Sequence, residues 1–104
     1  MTTPSAQDAP VAGQITLRYW ASARAAVGHA EEQVPVAGPV TLADLVAGSV
    51  LRNGDQGARS VRISGVLGCC SVLLGDQPVA ALDPAAVLVQ PGTTVEFLPP
   101  FAGG

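Results

Sequence analysis

The residues best placed to do chemistry lie in the C-terminal run Phe97-Leu98-Pro99-Pro100-Phe101-Ala102-Gly103-Gly104. Proline offers no N–H to a β-ladder, so Pro99 and Pro100 are expected to stop sheet pairing at Leu98. Two prolines in a row favour an extended, polyproline II path. Six residues at ~3.1 Å each would carry a terminal carboxylate roughly 18 Å beyond the sheet. Gly103 and Gly104 have no Cβ, so the tip could enter a channel too narrow for any side chain. An α-carboxylate is a poor acyl donor at neutral pH, but adenylation would give it a good leaving group. Attack by a persulfide sulfur and reductive release would then leave a thiocarboxylate on Gly104. A terminal Gly-Gly alone arises by chance in about one chain in 200 at average glycine frequency. Its weight comes from the Pro-Pro pair just before it and from its place after a final strand.

Other chemistry-bearing residues form no constellation. His29 follows Gly28 in a loop and has no matching Cys or Asp pattern. The carboxylates Glu31-Glu32, Asp76 and Asp83 show no spacing that calls for paired acid–base work. Arg24 reads as a surface helix residue, Arg59 and Arg62 as at most a small basic spot, and Trp20 as core. Cys69 and Cys70 are adjacent, which disfavours a disulfide between them and matches neither a redox CxxC pair nor a zinc half-site. They read as strand cysteines with one or both facing the core. No phosphate-binding loop is present, and with no Lys anywhere none of the GxxxxGK type is possible. No metal site and no bound cofactor are therefore expected.

The whole chain bounds these readings. Its 104 residues suit one domain, with core material supplied by Val, Leu, Ile and Ala because only four residues are aromatic. A net charge of −3, with five Arg as the only basic residues, makes nucleic acid a poor partner. No stretch approaches the ~20 apolar residues of a membrane span. Residues 1–13 are rich in Thr, Ser, Ala and Pro without a signal-peptide pattern, so a flexible tail and a cytoplasmic location are expected.

The elements that must position the tail occupy residues 14–98. Ile15, Leu17 and Tyr19 alternate with Thr16, Arg18 and Trp20, which reads as a strand over 14–20. A short Ala-rich helix over 21–27 is stopped by Gly28, and a second strand is expected over 32–36. Thr41 and Asp44 cap the clearest helix, whose stripe is Leu42, Leu45, Val46 and Val50 before the Asn53-Gly54 stop. Residues 55–68 give no clear period, with Val61 and Ile63 alternating against Ser60, Arg62 and Ser64. Strands are expected over 70–74, 78–81, 87–89 and 94–98. One long helix against a mixed sheet makes an α+β domain of β-grasp type, spanning 14–104 with 99–104 protruding.

These features resemble the small ubiquitin-like sulfur carriers of the MoaD/ThiS family, the molybdopterin synthase small subunit and its thiazole-synthesis relative. The resemblance covers about residues 15–104 and rests on three stretches: Tyr19-Trp20-Ala21-Ser22-Ala23-Arg24 to Gly28, the capped helix from Thr41 to Leu45, and the PP-x-x-GG ending. The Pro-Pro pair leans toward the molybdopterin branch. The resemblance implies a non-catalytic carrier that binds no cofactor, with Gly104 adenylated by an E1-like ATP-using enzyme and thiocarboxylated with sulfur from a sulfurtransferase or cysteine desulfurase. It also implies delivery in the molybdopterin synthase large subunit for molybdenum cofactor biosynthesis. Gly103 would give clearance, and Phe97, Leu98, Pro99, Pro100, Phe101 and Ala102 would form the partner-binding tail. A carrier for thiazole, cysteine or secondary-metabolite sulfur would share this end group, as would a ubiquitin-like modifier that forms amide bonds to target lysines.

Overall fold

In the computed structural model, which describes residues 13–79 and 83–100, β1 (Gly13–Tyr19) buries Ile15, Leu17 and Tyr19 on one side and turns Thr16 and Arg18 to the other. The two-residue period of the sequence is thus the pleat of the strand. Gly13, expected in the tail, is the first residue of β1. β2 (Glu31–Val36) runs antiparallel to β1, with Val34 opposite Ile15 and Glu32 opposite Leu17. Between them sits α1 (Ala21–Val27), closed by Gly28 at φ 100°, whose N–H donates to the Arg24 carbonyl at 2.9 Å. A left-handed stop of this kind favours glycine.

A short strand, β3 (Val40–Thr41), leads into α2 (Leu42–Asn53). Thr41 Oγ1 accepts from the Asp44 N–H at 3.0 Å, the cap that the sequence announces. Leu42, Leu45 and Ser49 are buried, and Val46 and Val50 pack partly against the core. α2 ends at Gly54, where an added Cβ would lie 2.7 Å from the Val50 carbonyl oxygen and against Ser60. Close approach of the next helix excludes a side chain there.

That next helix, α3 (Ala58–Gly68), adds to the single main helix expected from the sequence. Asp55 organises its start by accepting from the Gly57 N–H at 2.8 Å and the Ser60 N–H at 3.3 Å, and these bonds hold its carboxyl below the usual range. Ile63 and Leu67, four residues apart, are its buried anchors. Arg59, read from the sequence as part of a basic spot, instead donates from Nε to the Asn53 carbonyl at 2.7 Å and from Nη2 to the Val27 carbonyl at 3.2 Å. It thus satisfies orphan carbonyls at the ends of α1 and α2, where a cation is also favoured by the helix dipole.

β4 (Ser71–Leu74) and β5 (Gln77–Pro78) form a short hairpin; residues 80–82, which include the expected strand end at Ala81, lie outside the described residues. A 3₁₀ turn (Pro84–Ala86), capped by Asp83, precedes β6 (Leu88–Val89), which pairs with β3 rather than joining the main sheet. The last strand, β7 (Thr94–Leu98), lies parallel to β1 and antiparallel to β4. The main sheet has the order β2-β1-β7-β4-β5. All three helices lie on its inner face, over a core that includes Ile15, Leu17, Ile63, Val95 and Phe97. This is the α+β, β-grasp arrangement, with the final strand held in the middle of a mixed sheet.

Candidate functional site at the base of the C-terminal arm

β7 is the element that carries the arm, and its neighbours fix where the arm leaves. Tyr19 is opposite Phe97, and the Trp20 N–H donates to the Phe97 carbonyl at 3.2 Å, extending the parallel pair by one residue. On the other side Leu98 is opposite Ser71. β7 ends at Leu98, and Pro99 and Pro100 follow outside the sheet. A strand with partners on both edges makes a firm base for the residues that follow it.

The two sides of this base differ. On the inner side Phe97 is fully buried and stacked on Tyr19, with ring centroids 5.6 Å apart. Phe97 therefore packs the core, and the expectation that it forms part of a partner-binding surface is corrected for the fold described: Val95 and Phe97 point the same way as the rest of the core. On the outer side Leu98 is half-buried, and Trp20, expected in the core, is 42% exposed. The Trp20 Nε1–H donates to Glu96 Oε1 at 2.9 Å, and the Arg18 guanidinium lies 5.1 Å from the indole ring centroid. Arg18 also reaches Glu31 at 3.8 Å. Trp20, Leu98, Glu96 and Arg18 thus form a shelf of apolar surface edged by charge at the end of β7, just before Pro99 in the chain.

Beneath the inner side lies a polar cluster that sequence reasoning missed. Glu32 on β2 accepts from Tyr19 Oη at 2.9 Å, Arg52 Nη2 at 2.8 Å and Asn53 Nδ2 at 2.8 Å, and meets His29 Nε2 at 2.9 Å. Ser49, fully buried, lies 2.6 Å from Tyr19 Oη. Tyr19 has one proton and gives it to Glu32, so Ser49 is the donor to Tyr19. Burial alone would raise the Glu32 carboxyl, but the bonds from Arg52, Asn53 and Tyr19 outweigh it and bring the group down to about 2. Burial pushes the Tyr19 phenol up. Every buried side-chain polar atom among the described residues has a partner, so this cluster is a closed fastener between β1, β2 and α2 rather than a catalytic site with a group in waiting. Ser49, four residues after Leu45 on the buried stripe of α2, was the signal that something polar faces inward.

The remaining candidates disperse. Cys69 caps the end of α3 and is exposed, while Cys70 lies between α3 and β4, its thiol 3.2 Å from the Val66 carbonyl; neither sits in a strand as expected. Burial, and then the neighbouring Cys69, push the Cys70 thiol up to about 11. Among the described residues no group of His, Cys, Asp and Glu could hold a metal ion, and no helix is long and apolar enough to cross a membrane. Phe101, Ala102, Gly103 and Gly104 lie outside the described residues.

With the geometry in place, comparison with known proteins adds the fold's relatives. No protein-family model matches the chain, and no curated protein does. Among solved structures, the HVO 2177 protein of Haloferax volcanii is similar with a TM-score of 0.66 at 24% identity, over 89% of this chain and 88% of that one. Small archaeal modifier protein 1 of the same organism is similar with a TM-score of 0.60 at 18% identity, over 86% of this chain and 99% of that one. A second crystal structure of that modifier gives 0.58 at 20% identity, over 88% and 100% of the two chains. At these identities the likeness establishes the β-grasp, ubiquitin-like fold.

Proposed function

We propose that this chain is a ubiquitin-like carrier whose Gly104 carboxylate is activated by a partner and whose own domain performs no catalysis. The observation that carries the reading is the base of the arm: a central strand fixed on both edges, ending at Leu98, followed at once by Pro99-Pro100. An E1-like, ATP-using enzyme would form the acyl adenylate on Gly104, with Gly103 giving clearance and Leu98, Pro99, Pro100, Phe101 and Ala102 in contact with the partner. The Trp20 shelf would dock the domain while the tip reaches the reacting centre.

Two fates of the activated carbonyl follow, each with its own support. In the first, an amine of another protein attacks it and the chain is conjugated through an amide; similarity to a protein named as a small archaeal modifier supports this reading. In the second, a persulfide from a sulfurtransferase or cysteine desulfurase displaces AMP to form an acyl disulfide, and a thiol reductant cleaves its S–S bond to leave a thiocarboxylate that delivers sulfur. The PP-x-x-GG ending supports that fate, with molybdopterin synthase as one recipient and thiazole, cysteine or secondary-metabolite synthesis as others. Incubation with ATP, an E1-like enzyme and a sulfur donor, followed by intact-mass measurement, separates them. The mass difference of sulfur for oxygen supports delivery, a covalent adduct to other proteins supports conjugation, and no change with any E1-like enzyme of the source cell would overturn both.

A further inference from the structure

The chain has no lysine, so its fixed positive side-chain charge rests on five arginines. The fold uses two of them internally: Arg52 donates to Glu32 at 2.8 Å, and Arg59 donates to the Asn53 and Val27 carbonyls at 2.7 and 3.2 Å. Of the other three, Arg18 and Arg24 line one crevice of about 120 Å³ with Tyr19, Trp20, Ala30 and Glu31, and Arg62 on α3 does not. Arg18 projects from the outer face of β1. Arg24 stands in the middle of α1, its backbone N–H donating to the Trp20 carbonyl at 3.3 Å. The step from strand to helix at Trp20 thus gathers two cations around the chain's one tryptophan, at the end of the sheet where Tyr19 stands opposite Phe97.

Neither guanidinium is saturated. Arg18 Nε lies 3.8 Å from Glu31 Oε1, an ion pair too long for a hydrogen bond, and both side chains are about half exposed. Glu31 also accepts from Gln33 Nε2 at 3.2 Å. Arg24 makes no ion pair among the described residues. Each guanidinium presents its N–H donors in a planar fork that matches the two oxygens of a carboxylate. At ~30 Å³ per water the crevice holds roughly four waters, room for a carboxylate and too little for a nucleotide. With Glu31 already on its wall it suits one negative group, and the chain's net charge of −3 would repel a longer acidic tract. Free phosphate would meet the two cations but leave the exposed Trp20 ring and the half-buried Leu98 uncovered. A carboxylate carried on a protein surface brings apolar neighbours that cover them.

We propose that Arg18, Arg24 and Trp20 form a seat for a single Asp or Glu side chain, with an apolar neighbour, on the surface of a partner protein. The carboxylate lies between the two guanidiniums and the apolar neighbour packs on the indole. The seat deepens the carrier reading by naming what a docking partner must present, and that use rests on the carrier reading. Affinity of the crevice for a carboxylate does not.

The acetylated and amidated tripeptide Leu-Asp-Leu, with Leu-Asn-Leu as its uncharged counterpart, probes the seat in the full chain. Binding would be followed through the indole N–H resonance of Trp20, the single tryptophan, and the Nε–H resonances of Arg18 and Arg24. Leu-Asp-Leu is expected to shift all three along one saturable curve with a Kd on the order of 1 mM, and Leu-Asn-Leu to bind about tenfold more weakly. Arg24→Gln is expected to weaken the acidic peptide about fivefold, and Arg62→Gln, which removes the same charge elsewhere, to leave it unchanged. Equal losses in the two variants would mark a general effect of charge and overturn the seat, as would the absence of a saturable shift by Leu-Asp-Leu. Inorganic phosphate that shifts the three resonances as tightly at matched ionic strength would overturn a protein side chain as the occupant. Peptide binding needs neither ATP nor an enzyme, so its failure and a failure of Gly104 activation, read by intact mass, are distinguishable.

Discussion

Tyr19 and Trp20 are neighbours in sequence, and each donates one hydrogen bond of 2.9 Å to a glutamate, yet the two pairs have little else in common. Tyr19 is 2% exposed, and its partner Glu32 is also held by Arg52, Asn53 and His29. Trp20 is 42% exposed, and its bond to Glu96 lies on the open face of the sheet. A strand places consecutive side chains on opposite faces, so one residue step separates a fastener from a surface. The inner pair ties β1 to β2 and α2, where Tyr19 and Ser49 are buried and an unpaired group would be costly. The outer pair leaves the indole partly exposed beside the base of the arm, an apolar ring steadied by one hydrogen bond and by the Arg18 guanidinium over it. Stability belongs to the first face, and the proposed function assigns recognition to the second.

That division can be tested by substitutions ranked by expected effect. Phe97→Ala removes the fully buried ring stacked on Tyr19 and is expected to cost about 3–5 kcal/mol in chemical denaturation, a large part of a small domain's stability. Glu32→Gln leaves Arg52 and His29 without their carboxylate and is expected to cost about 1–2 kcal/mol near neutral pH. Glu32 also has a pH signature. Its folded value of about 2 lies below the ordinary 4.5, so the stability it adds is fully present above that ordinary value and is lost as pH falls from there toward 2. Denaturation midpoints of the wild type should therefore fall across that window more steeply than those of Glu32→Gln; parallel curves would contradict the fastener. Trp20→Ala should change stability by less than about 1 kcal/mol, because the residue is half exposed. The same substitution should lower kcat/KM for activation by the E1-like partner about tenfold. A Trp20→Ala protein that unfolds, or one activated at the wild-type rate, would erase the distinction between the faces.

Much of the frame was legible in residue patterns. The alternation of Ile15, Leu17 and Tyr19 with Thr16, Arg18 and Trp20 set the faces of β1, and Thr41 with Asp44 marked the start of α2. The same alternation already placed Trp20 on the outer face and Phe97, two residues from Val95, on the inner one. Judging each aromatic by its usual burial rather than by its parity hid both facts. α3 was hidden for a different reason. Gly57, Gly65 and Gly68 lower helix propensity, and Ser60-Val61-Arg62-Ile63-Ser64 imitates a strand. What holds α3 is tertiary: Ile63 and Leu67 in the core, Asp55 at its start, and Arg59 bridging to two other helix ends. The Glu32 cluster joins residues up to 34 positions apart in sequence, from Tyr19 to Asn53, and long-range polar partners leave no local period to read.

The central claim is that the tip reacts and the domain only presents it, and deletion of Gly104 tests this most directly. The truncated protein should unfold at the wild-type denaturant midpoint while its activation by ATP and the E1-like partner, read by intact mass, falls to background. A shifted midpoint, or a truncated chain that is still activated, would contradict the account.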